Sequence, residues 1–375
     1  MDRIAFIYGE TFVYWSSIVL TMASVCAICA FVALYLPKSR NVRACAEVIP
    51  FSMVVSLVLA RLIHWYCRTD SYSSFLSAMT SFSGGGFALM GVFGGCLFAA
   101  CFLRLMDTSE NLPEMLDCMA VAGAAGIALG RLACLFNTSG RGQIVEGITS
   151  LPWVYPVTNA VSGTAEYRLA TFMLQAMVTA VIFVALLVFY LRGRKKGNLK
   201  DGDAFLLFML CYGASQVILD STRYDSLFFR SNGFVSIVQV LGAFGIGIPT
   251  ILFSIRLVRQ RGWKYWYLGL WTLWAGLMGL GGYMEYYVQR HGDQAAFAYS
   301  LMSVALVALV ALGCGIRFLA ERTPKTPKIV EEAVPMPVPE EVPEQMPAPS
   351  EENMEQALAL EDMDFDLEGL DLEDL

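Results

Sequence analysis

The chain has 375 residues, of which 56% are hydrophobic and only 16% are charged. A soluble globular protein carries about 25% charged residues, so this composition excludes an ordinary soluble enzyme and indicates an integral membrane protein. The net charge of -7 comes from the C-terminal end, because residues 331–375 contain 16 acidic and no basic residues. The rest of the chain is therefore net positive.

Nine apolar stretches, each about as long as a membrane-spanning helix, follow one another along the chain. They cover residues 12–36, 46–66, 87–106, 114–136, 168–191, 204–219, 234–257, 263–287 and 297–318. Their apolar runs are continuous, whereas the strands of a membrane barrel alternate in polarity, so they predict helices. The N-terminal MDRIAFIYGE lacks the basic segment of a cleavable signal peptide. The sequence therefore predicts an all-α polytopic membrane protein.

The distribution of Lys and Arg predicts the orientation in the membrane. With the N-terminus placed outside, seventeen of the 26 basic residues fall in the loops and the C-terminal segment on the cytoplasmic side. The densest cluster is RGRKKGNLK, residues 192–200, between the fifth and sixth spans. We therefore predict that the N-terminus faces outside and the C-terminus faces the cytoplasm.

The chain divides into three predicted parts. Residues 1–260 hold seven spans, and residues 261–320 hold two more that open with aromatic residues typical of a membrane interface. Residues 321–375 are rich in Pro and Glu and predict a disordered acidic cytoplasmic tail. Within it, residues 355–375 set apolar side chains among acids. That pattern fits either a solvated tail or a linear motif that binds a cytoplasmic protein.

Polar side chains interrupt the spans near the predicted outer interface. Arg61 and His64 end the second span, Arg131 and Asn137 flank the end of the fourth, Asp220 and Arg223 end the sixth, Tyr14 and Trp15 begin the first, and Gln175 lies about two turns into the fifth. Each arginine taken singly fits extension to the lipid headgroups. Three arginines from three helices in one leaflet instead indicate a phosphate site, because a guanidinium donates two hydrogen bonds to phosphate oxygens.

Two further features concern glycine and cysteine. In SFSGGGFALMGVFGG, residues 81–95, Gly85 and Gly86 suit close approach to a ligand, while small residues at helical spacing also suit helix packing. The one C-x-x-C, Cys26 to Cys29, lies within a span, where thiols pack as small apolar side chains. No histidine cluster or phosphate-binding glycine motif occurs. The sequence therefore predicts no metal site, no cofactor and no nucleic-acid partner.

Short motifs in a fixed order carry a resemblance to a known family. GRLACLFNTSGRG, residues 130–142, is similar to the signature G-R-[IL]-G-N-F-x-N-G-E-x-x-G, with Arg131, Asn137 and Gly142 in register. Asp117 stands fourteen residues before the signature arginine, as that family requires. Further similar segments are ARL at 60–62, SGGGFALMGVFGG at 83–95, RLATFMLQ at 168–175 and LDSTRYD at 219–225. Over roughly residues 10–260 the chain resembles the bacterial prolipoprotein diacylglyceryl transferases.

The resemblance implies a seven-span enzyme of the bacterial plasma membrane. That family moves diacylglyceryl from phosphatidylglycerol, a membrane lipid, to the lipobox cysteine in the signal peptide of a prolipoprotein, and releases glycerol phosphate. The reaction needs cations where charge develops on the phosphate, which Arg131 and Arg223 fit, with Arg61 or Arg168 assisting. It also needs a base for the thiol. We hypothesise that His64 is this base, the alternative being a packing role at the interface. The other predicted substrate-binding residues are Arg61, Gly85, Gly86, Asn137, Gly142, Asp220, Tyr14 and Gln175.

Departures from the family pattern leave two hypotheses open. Cys134 and Ser139 replace an asparagine and a glutamate of the signature, and Met90 and Gln175 replace residues that can carry protons. The chain is therefore either an active, divergent transferase or a catalytically degenerate relative that binds lipid and recruits a partner through its acidic tail. A small-solute transporter is disfavoured, because the polar residues gather in one leaflet and the sequence shows no inverted repeat.

Overall fold

The computed structural model describes residues 4–9, 11–80, 85–107, 110–145, 154–158, 163–229 and 232–321. Within these ranges the chain is mainly helical and carries three short antiparallel hairpins. The predicted acidic tail from residue 322 onward lies outside the described residues, as does the 81–84 part of the glycine-rich segment.

A long helix occupies each of the nine predicted spans. These helices are α1 (Trp15–Ser39), α2 (Val42–Cys67), α4 (Leu89–Met106), α5 (Leu112–Arg131), α6 (Thr171–Lys196), α7 (Asp203–Ser221), α8 (Ile237–Arg261), α9 (Trp266–Arg290) and α10 (Ala295–Glu321), and a short α3 (Phe75–Thr80) follows α2. Among the described residues, eight helices are long and apolar enough to cross a membrane. The predicted all-α polytopic membrane fold is confirmed.

Helix α9 is the one predicted span that does not belong to these eight. It has 25 residues, which is long enough to cross, but it mixes glycine, tyrosine and tryptophan with its leucines. A membrane crossing by α9 therefore stays a prediction. Helix α8 ends at Arg261, and a domain boundary at residue 260 stays a prediction.

Three hairpins that the sequence analysis did not predict precede helices. They pair β1 (Ile4–Tyr8) with β2 (Thr11–Tyr14), β3 (Val154–Thr158) with β4 (Ala165–Leu169), and β5 (Phe228–Phe229) with β6 (Asn232–Ser236). They lead into α1, α6 and α8, which begin at the end of the bundle where α2, α5 and α7 terminate. We call this the site end. Its loops are fastened by hydrogen bonds between the segments around residues 140–145, 167–169 and 222–224.

Glycines bring α4 directly against α2. A Cβ atom added at Gly91 would lie 2.1 Å from the backbone nitrogen of Ala60, and one at Gly95 would lie 2.4 Å from the Cα of Ser56. These two glycines are four residues apart, so they face the same side of α4. This half of the glycine-rich segment therefore serves helix packing.

A buried aspartate fastens α5 to α7 at the opposite end of the bundle. Asp117 is 1% exposed, and its carboxylate accepts hydrogen bonds from the backbone N–H groups of Gly202 and Phe205, both at 2.8 Å. These are donors at the N-terminus of α7, where a carboxylate is favoured. The family-motif aspartate lies fourteen helical residues from Arg131, about 21 Å away along α5. Its role here is structural.

An ion cluster links three helices at the same opposite end. Asp203, which is fully buried at the start of α7, accepts hydrogen bonds from Arg256 of α8 and from Arg317 of α10, the latter at 3.0 Å. Helix α10 thereby becomes attached to the helices that carry the family motifs.

Removing this buried carboxylate is expected to destabilise the fold. Asp203→Ala leaves Arg256 and Arg317 without their shared partner and should lower the free energy of unfolding by about 3 kcal/mol. Denaturant unfolding of the protein in mixed micelles measures the change. Asp201→Ala is the matched control, because Asp201 is 37% exposed and its partners are Lys38 and Asn111 at the surface, so a loss below about 1 kcal/mol is expected. Equal losses for the two variants would contradict a stabilising role for the cluster.

Candidate functional site

A cavity of about 1500 Å³ lies between α1, α2, α4, α5, α7 and α8. Most of its wall is apolar and includes Phe31, Met53, Phe93, Leu116 and Phe208. At the site end the wall becomes polar, with Arg61, His64, Tyr72, Arg131, Asn137, Ser139, Arg223 and Asp225. This arrangement suits an amphipathic molecule, with its apolar part along the helices and its polar group at the site end.

The structure brings seven of the eleven predicted site residues to this cavity. They are Arg61, His64, Gly85, Gly86, Arg131, Asn137 and Arg223. They come from motifs that are far apart in sequence, at the ends of α2, α5 and α7 and in the loop before α4. The sequence predicts that these motifs lie at one depth in the membrane, and in the structure they line one cavity.

Arg131 has unsatisfied hydrogen-bonding capacity. Its buried Nε atom has no hydrogen-bond partner among the described residues, and the hydroxyl of Tyr212 on α7 lies beside the guanidinium. Arg131 is the last residue of α5, where the partial negative charge of the helix terminus favours a cation. No described carboxylate forms an ion pair with it. Arg131 is thus a cation at the cavity wall that no described carboxylate compensates, and an anion bound in the cavity would compensate its charge.

Arg223, in contrast, is held by two carboxylates. Its Nη2 atom lies 2.9 Å from Asp225, and its Nη1 atom lies 3.4 Å from Asp220. Burial disfavours the charged guanidinium, but the charges of Asp225 and Asp220 outweigh burial and raise the pKa of Arg223 above its ordinary value. The side chain is therefore fixed in place and charged, yet largely neutralised.

The loop after α5, residues 137–142, is hydrogen-bonded to the two residues that follow Arg223. The backbone N–H of Gly140 donates to Asp225 at 2.9 Å, and the N–H of Tyr224 donates to the carbonyl of Arg141, also at 2.9 Å. Asn137 accepts from the N–H of Ser139 at 2.9 Å, which shapes the turn that faces the cavity. The two motifs that contain Arg131 and Arg223 are consequently one structural unit.

The guanidinium of Arg61 holds the loop before α4 that contains Gly85 and Gly86, which we call the glycine loop. Its Nε donates to the carbonyl of Ala78 at 2.5 Å, and its Nη1 donates to the carbonyls of Gly85 and Gly86, the latter at 2.9 Å. The ring of Tyr72 lies 4.9 Å from its guanidinium carbon, within range of a cation–π contact. Arg61 is 2% exposed, so most of its donors serve the protein backbone.

His64 lies at the cavity wall beside Tyr72. The hydroxyl of Tyr72 and the Nδ1 atom of His64 are 2.9 Å apart, a hydrogen bond that orients the imidazole. Gly86 packs against both: a Cβ atom there would lie 2.6 Å from the Tyr72 hydroxyl and 2.8 Å from Cε1 of His64. The φ of +85° at Gly86 also requires glycine.

Four predicted site residues lie outside the cavity wall. Gly142 packs against Thr171 and Leu169, where a Cβ atom would be 2.6 Å from the threonine hydroxyl. Asp220 is buried behind Arg223, Gln175 donates to Gln216 at 3.1 Å, and Tyr14 is 45% exposed at the end of β2. Their predicted contact with substrate stays a prediction.

Sequence reasoning missed three residues that shape the site. Tyr72 lies in a loop and carries no motif, and Tyr212 is one aromatic residue among many in α7. Asp225 closes the LDSTRYD segment, and its position two residues after Arg223 was the signal that could have identified it. Of the departures from the signature, Cys134, Ser139 and Met90 line the cavity, so they stand where a substrate would contact them.

The fold and the cavity define an all-α polytopic membrane protein with a large amphipathic cavity between its helices, whose polar end carries arginines. The family model for prolipoprotein diacylglyceryl transferase matches residues 3–255. The chain therefore belongs to the prolipoprotein diacylglyceryl transferase family, whose members are transferases of lipoprotein biosynthesis.

Relatives are similar to the chain along almost their whole length. The phosphatidylglycerol–prolipoprotein diacylglyceryl transferase of Streptococcus equi subsp. zooepidemicus (strain H70) is 25% identical over 278 residues, which cover 71% of this chain and 99% of that protein. Proteins of the same name from Finegoldia magna and Lactococcus lactis subsp. cremoris are 26% and 27% identical, over 69% and 70% of this chain and 97% of each relative. Helices α9 and α10 lie beyond the matched region.

Proposed function

We propose that this chain transfers diacylglyceryl from phosphatidylglycerol to the thiol of the lipobox cysteine in prolipoprotein signal peptides. The observation that carries the proposal is Arg131, a cation without an ion-pair partner among the described residues, at the polar end of an otherwise apolar cavity. Arg131 is partly buried, and a cation that has lost part of its hydration is stabilised when an anion compensates its charge. A phospholipid supplies that anion, and its acyl chains match the apolar wall.

The reaction is a displacement at carbon. The thiolate sulfur attacks the glycerol carbon that bears the phosphate, the sulfur–carbon bond forms, and the carbon–oxygen bond breaks with its electron pair leaving on glycerol phosphate. Negative charge gathers on the departing phosphate, where Arg131 opposes it with net charge and Arg223 with fixed hydrogen bonds. We therefore assign catalytic roles to both arginines in this proposal.

The eight predicted substrate-binding residues fall into three groups in this scheme. Gly85, Gly86 and Asn137 line the cavity and contact the lipid headgroup. Arg61, Asp220 and Gly142 act as positioning residues. Arg61 holds the loop of Gly85 and Gly86, Asp220 holds Arg223, and Gly142 forms an isolated antiparallel bridge with Arg223. Gln175 and Tyr14 have no contact with the cavity wall and no assigned step.

We assign the general base to His64. The displacement needs the lipobox thiol to lose its proton, and His64 is at the cavity wall with Nδ1 bonded to Tyr72. Neutral imidazole accepts the thiol proton through the other ring nitrogen, Nε2, and passes it to solvent afterwards. The positions occupied by Met90 and Gln175 cannot take this role.

The site end faces outside in this proposal. The basic side chains near the opposite end, among them Lys38, Arg194, Arg256 and Arg317, support a cytoplasmic location of that end in a bacterial cell. A signal peptide that has crossed the plasma membrane then presents its cysteine at the site end. A cytoplasmic protein partner for residues 355–375 stays a prediction of the sequence.

The proposal is tested with the purified full chain in phosphatidylglycerol nanodiscs and a lipobox peptide. The expected result is a gain of one diacylglyceryl mass on the peptide, and no gain on a peptide whose cysteine is replaced by serine. If no phospholipid supports a mass gain while the protein binds lipid, the degenerate, lipid-binding alternative replaces the enzyme.

Gly86 offers a test of the glycine loop. Gly86→Ala places a methyl group against Tyr72 and His64 at a positive φ, which should displace both side chains. A displacement of about 1 Å is expected to reduce transfer by roughly tenfold to a hundredfold. The rate of peptide lipidation measures this effect. Gly197→Ala is the matched control, because Gly197 also has a positive φ, of +67°, but has open space around it and follows α6 at the opposite end of the bundle. Equal losses for both variants would contradict the assignment.

A further inference from the structure

A second cavity, of about 250 Å³, lies behind Arg223 at the site end. Arg223 lines both cavities, and α9 and α10 close the smaller one with Glu285, Gln289 and Tyr299. These residues lie beyond the region that matches the family. The smaller cavity is therefore a feature that the additional helices bring to this chain.

Glu285 is the unsatisfied group in this cavity. It is 8% exposed, its Oε2 atom has no hydrogen-bond partner among the described residues, and its Oε1 atom accepts only a 3.4 Å bond from Gln289. Asp220, the other carboxylate at the wall, is already paired with Arg223 and with the hydroxyl of Ser236. A buried carboxylate without a cation is costly, so the wall is complementary to a positive charge.

The size and the remaining wall define the cation further. A water molecule occupies about 30 Å³ in the liquid, so a cavity of this volume exceeds the needs of a bare ion and accepts a small organic molecule. The Tyr299 hydroxyl and the Gln143 amide, 3.3 Å apart, add hydrogen-bonding groups beside Glu285. An ammonium group donates three hydrogen bonds and matches this set.

From this geometry we propose that the cavity formed by Glu285, Tyr299 and Gln143 binds a protonated primary amine. Glu285 compensates its charge, and the neutral groups accept its remaining hydrogen bonds. The amine has two sources with the same chemistry: a free small amine, or the aminoethyl headgroup of a phospholipid whose phosphate lies at Arg223. This binding goes beyond the proposed transfer reaction and does not require it.

Calorimetric titration of the full chain in phosphatidylglycerol nanodiscs tests the proposal. Ethylammonium chloride is the probe, sodium chloride the ionic control and propane-1,2-diol the neutral control of similar size. Saturable binding of ethylammonium alone is expected. Glu285→Gln should weaken it by about tenfold or more, because a hydrogen bond to a charged group is lost together with the charge. Glu47→Gln, a pair-forming glutamate of α2 at the opposite end, is the matched control and should bind as wild type.

Further measurements keep the test decisive. If Glu285→Gln fails to fold, Glu285→Asp, which keeps the carboxylate, and Tyr299→Phe, which removes one acceptor, should each weaken binding by a smaller factor. Nanodiscs that contain phosphatidylethanolamine separate the sources: competition with ethylammonium identifies the lipid headgroup, and its absence identifies a free amine. No saturable binding, equal binding by Glu285→Gln, or equal binding of the diol overturns the proposal. None of these outcomes depends on whether transfer occurs.

Discussion

Replacing Arg131 with alanine is expected to lower the rate of diacylglyceryl transfer by roughly 10²- to 10³-fold. The guanidinium forms no ion pair with a carboxylate in the described structure, and its Nε atom has no hydrogen-bond partner there, so it opposes the negative charge of the departing phosphate with its full charge. The loss should appear mainly in kcat, because this charge develops in the transition state. The rate of mass gain by a lipobox peptide under saturating lipid is the measurement.

Two companion variants separate charge from fold. Arg131→Lys keeps the positive charge but loses the planar pair of donors, so its rate should fall between wild type and Arg131→Ala. Arg259→Ala removes an exposed arginine of α8 at the opposite end and should leave the rate unchanged. Transfer by Arg131→Ala at the wild-type rate would remove Arg131 from the mechanism.

Replacing His64 with glutamine is expected to slow transfer by roughly 10²- to 10⁴-fold near neutral pH. Glutamine preserves a hydrogen bond to Tyr72 but cannot accept the thiol proton. A free thiol has a pKa of about 8.5, so thiolate forms without a base as the pH rises past that value. The deficit of the variant should therefore shrink at high pH, and a pH–rate profile measures it.

The shape of that profile distinguishes a base from a packing residue. A purely structural role for His64 predicts a deficit that is the same at every pH, and an unchanged rate at all pH values would show no role. Tyr72→Phe keeps the ring against Arg61 and removes only the hydroxyl that orients His64. Its rate should fall less than that of His64→Gln and keep the wild-type profile.

The helices could be predicted from the sequence because the membrane imposes one local rule. Backbone groups in hydrocarbon must bond within their own segment, so each continuous apolar run forms a helix. Helix α9 shows the limit of this rule, since its glycines and aromatic residues give helix length without enough hydropathy to belong to the eight apolar helices. The hairpins before α1, α6 and α8 are short, and their pairing depends on contacts that a local pattern does not contain.

The sequence could predict where the site lies, but not what each of its arginines does. Depth in the membrane brings Arg61, Arg131 and Arg223 to one end, and the cavity contains all three. Their differences arise from tertiary partners: loop carbonyls for Arg61, two carboxylates for Arg223 and no described carboxylate for Arg131. No residue type or spacing encodes that distinction.

The glycine-rich segment makes the same point within one motif. Gly86 has a positive φ and touches the cavity residues, whereas Gly91, only five positions later, sits against the backbone of α2. The composition of the segment fits both close approach to a ligand and helix packing. Only the three-dimensional structure shows that Gly86 lies at the cavity and that Gly91 packs between helices.

The central claim is that Arg131 stabilises phosphate as it leaves during transfer to a thiol. The most direct measurement counts both products, lipidated peptide and released glycerol phosphate, from wild type and Arg131→Ala in phosphatidylglycerol nanodiscs. The account predicts equal molar amounts of the two products from wild type and a parallel loss of both in the variant. Glycerol phosphate without lipidated peptide, or product formation that does not depend on Arg131, would contradict it.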